Sequence, residues 1–190
     1  MALGFIIAAI FHSIFDFLLF EFILIVVSSF IMDFDVFLSK YAKDGNHRNL
    51  FSHSIIPSMI IIFLGLFFFW PVLIICGFAY LFHIIIDTFD WGTNFFFFPK
   101  KTFGIRYLIT KEEEENLEEF LSEFKNPQSF FDFKYYNSKL SLSIEIAMFT
   151  GMVISMVFLA LEYIFLIIIY FLGLYFHLSI HFKLKKIEDK

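Results

Sequence analysis

The sequence has one cysteine, Cys76, inside an apolar stretch, which excludes a disulfide framework. It also has no glycine-rich phosphate loop, no serine-nucleophile motif and no basic stretch typical of nucleic-acid binding. Residues 1–16 contain no lysine or arginine, and acidic residues follow their apolar stretch, so we expect no cleaved signal peptide. Nucleotide binding, serine-dependent hydrolysis and nucleic-acid partners are therefore not expected.

Apolar residues are abundant instead, and 59% of the 190 residues are hydrophobic. A soluble domain of this size could not bury so much apolar surface, whereas a bilayer solvates it. We therefore predict an all-α, polytopic integral membrane protein with about five hydrophobic segments in contact with the lipid bilayer. The net charge of −5 comes largely from the acidic stretch 112–123 and describes that segment rather than the whole surface.

The hydrophobic blocks and the polar segments between them divide the chain into three regions. We predict a membrane-embedded core over residues 1–105 and a cytoplasmic amphipathic helix with its loop over residues 106–140. A C-terminal transmembrane pair with a basic tail follows over residues 141–190. In the middle region, TKEEEENLEEFLSEFKNP predicts one helix that begins with a capping box of Thr110 and Glu113 and ends at Asn126-Pro127.

The stretch from Ser54 to Phe89 is too long for one transmembrane helix. It would measure about 54 Å at 1.5 Å per residue, against a hydrocarbon core of roughly 30 Å. Pro71 is the expected breaking point, because proline removes a helical hydrogen bond and clashes with the preceding turn. We therefore predict a helical hairpin of residues 54–70 and 72–89, whose two ends return to nearly the same level.

The basic residues predict the orientation of the chain. They are absent from the N-terminus and from the turn near Pro71, and they gather in 40–48, 100–111 and 183–186. Five crossings place all three clusters on one side, which the positive-inside rule makes cytoplasmic. We therefore predict a multi-pass protein of the cell membrane, either inner or plasma membrane.

Titratable and charged residues gather near the predicted cytoplasmic ends: Asp33, Asp35, His47, Arg48, His53, His83 and Asp87. Such groups are costly in hydrocarbon, so their presence indicates a functional site. His83 and Asp87 share one helix face, and the hairpin returns His53 to the level of Asp87. Histidine and aspartate without nearby cysteine suit zinc, or a harder ion such as manganese or iron. The ligands suffice for one or two divalent ions, and two ions are typical of phosphate-ester hydrolysis.

Each cluster alone has a simpler interpretation. His83 and Asp87 would form a buried hydrogen-bonded pair, and the paired aspartates would be solvated acids at a helix end. The loop around Arg48 would be an ordinary interfacial loop in which this side chain extends to the polar region. Three such clusters on one side of the membrane favour a shared metal site.

These motifs resemble the YdjM-like family of inner-membrane-associated, LexA-binding proteins described as metal-dependent hydrolases. The resemblance covers about residues 5–105 and rests on paired acids, an HRxxxxHS-like element, an HxxxD element and a following loop: Asp33, Asp35, His47, Arg48, His53, Ser54, His83, Asp87, Gly92 and Pro99. Met32 stands where the family has proline, and the His47–His53 spacing is one residue longer than the common form. Asp90 replaces the usual threonine, either as an extra ligand or as a solvated acid. A weaker resemblance connects the family to helical zinc-dependent phospholipases C and nucleases.

The resemblance also makes His12 a ligand, as the early histidine of the family. His12 would lie about 31 Å from Asp33 on a continuous helix, so both can reach one cluster only if the first block breaks near Asp16 to Glu21. We favour two short segments, 4–18 and 20–32, over one simple span in which His12 is structural. His177 and His181 near the basic tail are expected in the interfacial zone rather than at a metal.

We therefore predict a membrane-bound metal-dependent hydrolase that uses a metal-activated water on a phosphate ester, with a phospholipid as one candidate substrate. The predicted metal ligands are His12, Asp33, Asp35, His47, His53, His83 and Asp87, and the predicted catalytic residues are Asp35, His53 and Arg48. The alternatives are a non-enzymatic membrane module that binds an ion or a protein partner, and a small transporter. A transporter should place its polar groups near the bilayer midplane, whereas these cluster at one end.

Overall fold

The structure is a computed structural model that describes residues 1–41, 47–97 and 103–190. Within these ranges the chain is helical and contains no strand, which confirms the all-α prediction. Its α-helices are α1 (Ala2–Phe15), α2 (Leu19–Ser28), α3 (Ile55–Phe67), α4 (Pro71–Asp90), α5 (Lys111–Glu115), α6 (Leu117–Ser122), α7 (Pro127–Asn137), α8 (Lys139–Leu159) and α9 (Ile167–Glu188). Shorter 3₁₀ segments cover Ile31–Tyr41, His47–Asn49, Phe51–His53 and Leu161–Leu166.

The first hydrophobic block is broken, as the favoured interpretation predicted. Helix α1 ends because Asp16 adopts a left-handed conformation with φ 52°, while its amide donates to the His12 carbonyl. Aspartate is one of the few residues that tolerate this conformation, so it reverses the chain and α2 packs back on α1. The approach is close: a Cβ on Gly4 would lie 2.1 Å from Ser29 Oγ.

Helices α3 and α4 form the predicted hairpin, and Pro71 is the first residue of α4. Proline is favoured there because a helix leaves its first amide groups unpaired. The two helices pack closely through glycines: a Cβ on Gly65 would lie 2.7 Å from the Ile74 backbone nitrogen, and one on Gly77 would lie 2.9 Å from the Ser58 carbonyl oxygen. This packing fixes the start of α3 relative to the end of α4.

Among the described residues, three helices are long and apolar enough to cross a membrane: Pro71–Asp90, Lys139–Leu159 and the combined segment Leu161–Glu188. The last two confirm that the C-terminal block contains two separate long segments. The other apolar helices, α1 to α3, have 14, 10 and 13 residues and are shorter than the roughly 20 residues of a full crossing. The core between α1, α2, α4 and α8 is apolar, with Phe5, Phe22, Ile25 and Met152 fully buried.

The prediction of a single amphipathic helix in the middle region is wrong. The predicted capping box is present, since the Thr110 hydroxyl accepts from the Glu113 amide and the Glu113 carboxylate accepts from the Thr110 amide. The helix then breaks at Asn116, whose side-chain amide donates to the Glu112 carbonyl at 3.1 Å and competes with the helical backbone. Asn126 caps a further helix, α7, that the sequence pattern did not predict.

Candidate metal centre

Three chain segments converge at one end of the α3–α4 hairpin. The 3₁₀ segment after α2 carries Asp33 and Asp35, the 3₁₀ turn before α3 ends in His53, and the last turns of α4 carry His83 and Asp87. The hairpin explains the meeting, because both of its ends return to the same level.

Backbone contacts fix the position of His53. The Thr93 hydroxyl donates to the His53 carbonyl at 2.7 Å, and the Tyr80 hydroxyl donates to the Ser52 carbonyl at 2.5 Å. The amide of Ile55 donates to the Phe95 carbonyl at 2.9 Å. The histidine is therefore tied both to α4 and to the loop that follows α4.

Asp33, His53 and His83 each offer a donor atom within 4.8 Å of the other two, and Asp87 lies beside both histidines. His53 Nε2 lies 3.4 Å from Asp87 Oδ2, and His83 Nε2 lies 3.5 Å from the same oxygen. His83 Nε2 also lies 3.1 Å from Asp33 Oδ1. A tetrahedral ion with bonds of about 2.0–2.1 Å holds neighbouring donor atoms about 3.3 Å apart. These three separations match those of neighbouring ligands of one ion, which makes His53, His83, Asp87 and Asp33 candidate ligands.

Burial gives independent support for a cation at this point. His53 Nε2, His83 Nε2 and Asp87 Oδ2 are buried atoms that make no well-aligned hydrogen bond in the described part of the chain, although His83 Nε2 lies 3.1 Å from Asp33 Oδ1. Buried polar atoms are almost always paired, because an unpaired one costs about 1–3 kcal/mol. The three unpaired atoms face the same point, so one divalent ion would satisfy them together.

The fourth donor, Asp33, opens the centre to its surroundings. Its side chain is 54% exposed, whereas the side chain of His53 is fully buried. Partial burial raises the pKa of Asp33, but hydrogen bonding to His83 and the charge of His83 lower it by more, so the pKa lies below its ordinary value. Asp33 is therefore an ionised and accessible carboxylate at neutral pH.

Asp35 contacts the other ring nitrogen of His53. Its Oδ2 is 2.8 Å from His53 Nδ1 and also accepts a hydrogen bond from the Ser52 hydroxyl. A metal-binding histidine typically donates its second ring N–H to a carboxylate, which fixes the ring orientation. Asp35 therefore fits the role of orienting His53, rather than that of a ligand beside Asp33.

A second possible triad shares the same histidine. Donor atoms of Asp35, His47 and His53 also lie within 4.8 Å of one another. A neutral imidazole has only one nitrogen lone pair free for a metal, so His53 cannot serve both groups in this form. The unpaired Nε2 selects the group with His83 and Asp87. His47 remains beside it, and burial together with the nearby Arg48 charge lowers the pKa of His47 to about 4.

Arg48 approaches the centre from the outside. A guanidinium nitrogen lies 3.8 Å from Asp87 Oδ1, the oxygen that does not face the two histidines. The Arg48 carbonyl accepts a hydrogen bond from the Asn94 amide at 3.2 Å and also lies 3.2 Å from the Thr93 hydroxyl, whose shorter hydrogen bond goes to the His53 carbonyl. This arrangement holds a positive charge next to the ligand carboxylate.

The structure does not bring His12 to this cluster. The chain turns at Asp16, so His12 lies near the turn while Asp33 lies beyond the far end of α2. His12 Nε2 instead contacts Glu162 Oε1 at 2.6 Å. The break was predicted correctly, but it moves His12 away from the paired acids because the turn follows His12 so closely.

The remaining predicted residues are placed as follows. Asp90 belongs to none of the candidate metal groups among the described residues. Gly92 forms the turn after α4 with φ 81°, and its amide donates to the Asp87 carbonyl at 2.9 Å. Pro99 lies outside the described residues. His177 and His181 join α9 to α7 through Tyr136 and Asp132, at 2.7 Å and 2.5 Å.

Sequence reasoning missed the residues that support the ligands: Ser52, Tyr80 and Thr93. Their hydroxyl groups make ordinary hydrogen bonds, and no spacing rule marks them. Comparison of the chain with known protein families, with curated proteins and with solved structures gives no match. The resemblance to the YdjM-like family therefore stays a prediction based on the motifs.

We expect Asp35→Asn to weaken metal binding by about 10–100-fold while leaving the ligand set intact, because loss of an orienting partner has effects of this size. Zinc titration of the purified protein measures the change. Asp132→Asn is a matched control, since Asp132 likewise pairs with a histidine, His181, but belongs to none of the candidate metal groups among the described residues. Equal zinc affinity in wild type and Asp35→Asn would contradict the orienting role.

Proposed function

We propose that the protein is a membrane-bound, metal-dependent hydrolase acting on a phosphate ester at the membrane surface. The observation that carries this proposal is the convergence of His53, His83 and Asp87, whose buried donor atoms lack other partners. Two imidazoles with two carboxylates suit Zn²⁺ first, and Mn²⁺ or Fe²⁺ as alternatives. A bound ion of this kind supplies a Lewis acid and lowers the pKa of a coordinated water.

The protein residues have distinct tasks in this proposal. His53, His83, Asp87 and Asp33 hold the ion, and Asp35 fixes the tautomer and direction of the His53 ring. Burial and the Arg48 charge lower the pKa of His47 to about 4, so its ring is neutral at pH 7 and adds no positive charge beside the ion. Arg48 offers a fixed positive charge that suits the anionic oxygens of a phosphate.

A lipid phosphate is the favoured substrate class. Large apolar side chains next to the candidate ligands are exposed, with Phe34 at 57%, Phe37 at 76% and Phe51 at 44%. Exposed aromatic rings next to a charged site are typical of a position between lipid chains and water. A phospholipid in the same membrane leaflet could present its phosphate to Arg48 while its chains remain among these rings.

The orientation follows from the distribution of basic residues. No lysine or arginine occurs in residues 1–39, 49–99 or 140–182, so all 14 lie outside the apolar helices or at their ends. Among the described residues, Arg48 lies at the metal centre, and Lys125 and Lys134 bind Glu188 and Glu113 in the polar region between α4 and α8. We place this side in the cytoplasm by the positive-inside rule.

A non-enzymatic ion-binding module is the second candidate, and one observation favours it. Four protein donors complete the coordination of a tetrahedral zinc ion, as in structural zinc sites, whereas catalytic sites retain an open position. The exposure of Asp33 favours the enzyme, because an accessible carboxylate can be displaced by water or substrate. A transporter is disfavoured because the polar groups lie at one end of the helices.

The decisive experiment is a hydrolysis assay of the purified full chain in detergent, reconstituted with Zn²⁺ or Mn²⁺. Bis(p-nitrophenyl) phosphate and phospholipid micelles provide a general and a lipid substrate. We expect metal-dependent product release that is lost after chelation and restored by the ion. Stoichiometric metal binding without hydrolysis of either substrate would favour the ion-binding module.

A further inference from the structure

A second cluster of metal-binding side chains lies at the opposite end of the helices. His12 is in the last turn of α1, Asp16 ends that helix, and Glu162 lies in the 3₁₀ segment between α8 and α9. One donor atom from each lies within 4.8 Å of the other two, and His12 Nε2 is 2.6 Å from Glu162 Oε1. Glu162 follows His12 by 150 residues, so the cluster joins the two ends of the chain.

The backbone holds each of these groups in place independently. The left-handed conformation of Asp16, with φ 52°, directs its side chain away from the continuing helix path. The hydroxyl of Tyr163 donates to the Phe17 carbonyl at 2.8 Å, which fixes the neighbouring Glu162 against the α1–α2 turn. The His12 ring is 5% exposed and packs against the rings of Tyr163 and Phe22, at 5.0 Å and 6.0 Å between centroids. The donor atoms therefore converge through three separate constraints.

The charge at this end of the molecule is not balanced by basic side chains. Residues 1–39, 49–99 and 140–182 contain no lysine or arginine, and these ranges include every segment that contributes to this end. A third carboxylate, Glu21, is already paired with the Trp70 indole at 3.1 Å and the Leu18 amide at 3.0 Å. Asp16 and Glu162 have only His12 as a partner of opposite charge in the cluster, and an ion pair with His12 neutralises one carboxylate at most.

We propose that His12, Asp16 and Glu162 form a second divalent-cation site, separate from the centre at His53. One imidazole nitrogen and two carboxylates suit a first-row ion such as Zn²⁺ or Mn²⁺. Both carboxylates are exposed while the histidine is buried, so the ion is reached from the solvent and keeps water ligands. The site joins the α1–α2 turn to the connection between α8 and α9 and so fastens the C-terminal helix pair to the core.

Metal counting on conservative variants tests this site. The purified full chain is titrated with Zn²⁺, and bound metal is measured after removal of excess ion. Asp16→Asn keeps a residue that tolerates the left-handed conformation, and Glu162→Gln keeps an oxygen acceptor for His12. Glu21→Gln is the matched control, because it removes a carboxylate at the same end without touching the proposed site.

We expect wild type and Glu21→Gln to bind two zinc ions, and Asp16→Asn and Glu162→Gln to bind one. The affinity of the lost site should fall by at least about 100-fold, the upper end of the effect of removing an outer-shell partner. Asp87→Asn separates the two sites, since it should retain the ion that Glu162→Gln loses. The proposal is overturned if Asp16→Asn and Glu162→Gln bind as much zinc as wild type, or if the Asp87→Asn protein binds no zinc. Either result would establish a simple His12–Glu162 ion pair.

Discussion

Asp87→Asn is expected to abolish metal binding at the His53 centre and to reduce phosphate-ester hydrolysis by about 1,000-fold, which corresponds to about 4 kcal/mol of transition-state stabilisation. Asp87 Oδ2 lies beside the Nε2 atoms of both histidines, at 3.4 Å and 3.5 Å. Asparagine has the same size, but its neutral oxygen is a poorer ligand, and the variant also removes the negative charge that faces Arg48. The loss therefore follows from chemistry rather than from a change in packing.

Asp90→Asn provides the matched control for this variant. Asp90 ends the same helix, and its carboxylate interacts with Tyr107, whereas the two histidines lie 3.4 Å and 3.5 Å from Asp87. We expect it to retain metal content and turnover. Metal content is measured by mass spectrometry and turnover by release of p-nitrophenol. Wild-type metal content together with wild-type turnover in Asp87→Asn would contradict the His53 centre. Wild-type metal content with loss of turnover would make Asp87 a catalytic group instead of a ligand.

The sequence predicted the elements that depend on chain length and on proline. The stretch from Ser54 to Phe89 is too long for one crossing, and Pro71 can occupy a helix start but not a helix interior. These two facts determine the hairpin, and the hairpin brings His53 back to Asp87. The residue types of the candidate metal centre follow from the same argument, because His53 directly precedes the first limb of this hairpin and His83 and Asp87 lie at the end of the second.

The sequence did not predict which side of a ring each carboxylate faces. Asp33 and Asp35 are two residues apart and were expected to act together, but the 3₁₀ conformation separates their tasks. Asp33 faces His83 Nε2, and Asp35 faces His53 Nδ1. Side chains two residues apart point to the same side only in an extended segment. The 3₁₀ backbone of this segment therefore explains why the two carboxylates contact different rings.

The position of His12 shows a different limit. The break near Asp16 was predicted, yet its consequence depends on how many residues lie on each side of the turn. His12 precedes Asp16 by four positions, so His12 stays near the turn, whereas Asp33 lies beyond the opposite end of α2. The partner that it contacts, Glu162, is distant in the sequence and no local pattern identifies it.

Gly77→Ala is expected to lower both stability and metal affinity, although Gly77 lies in the middle of α4 and contacts no ligand. A Cβ at this position would lie 2.4 Å from Ile62 Cγ1, 2.9 Å from the Ser58 carbonyl oxygen and 3.0 Å from the Ile62 amide nitrogen. Two of these atoms belong to the backbone of α3, so a side-chain rotation cannot relieve the contact. The helices must move apart, and overpacking of this kind costs about 1–3 kcal/mol.

The same movement should reach the metal centre, because α3 and α4 carry its ligands at their adjoining ends. His53 directly precedes the Ser54 cap of α3, and His83 and Asp87 belong to α4. A displacement of about 1 Å at a reacting centre can lower the rate by about 100-fold, so turnover should fall by more than the loss of folded protein explains.

Gly151→Ala is the control, since its Cβ would meet only the end of the Ile6 side chain at 3.3 Å. Adding a methyl group to this apolar helix should be neutral or stabilise the protein by up to about 1 kcal/mol. Denaturant unfolding in detergent and zinc titration, both on the two variants, measure these effects. Equal stability and equal zinc affinity in Gly77→Ala and Gly151→Ala would show that the close approach of α3 and α4 does not position the site.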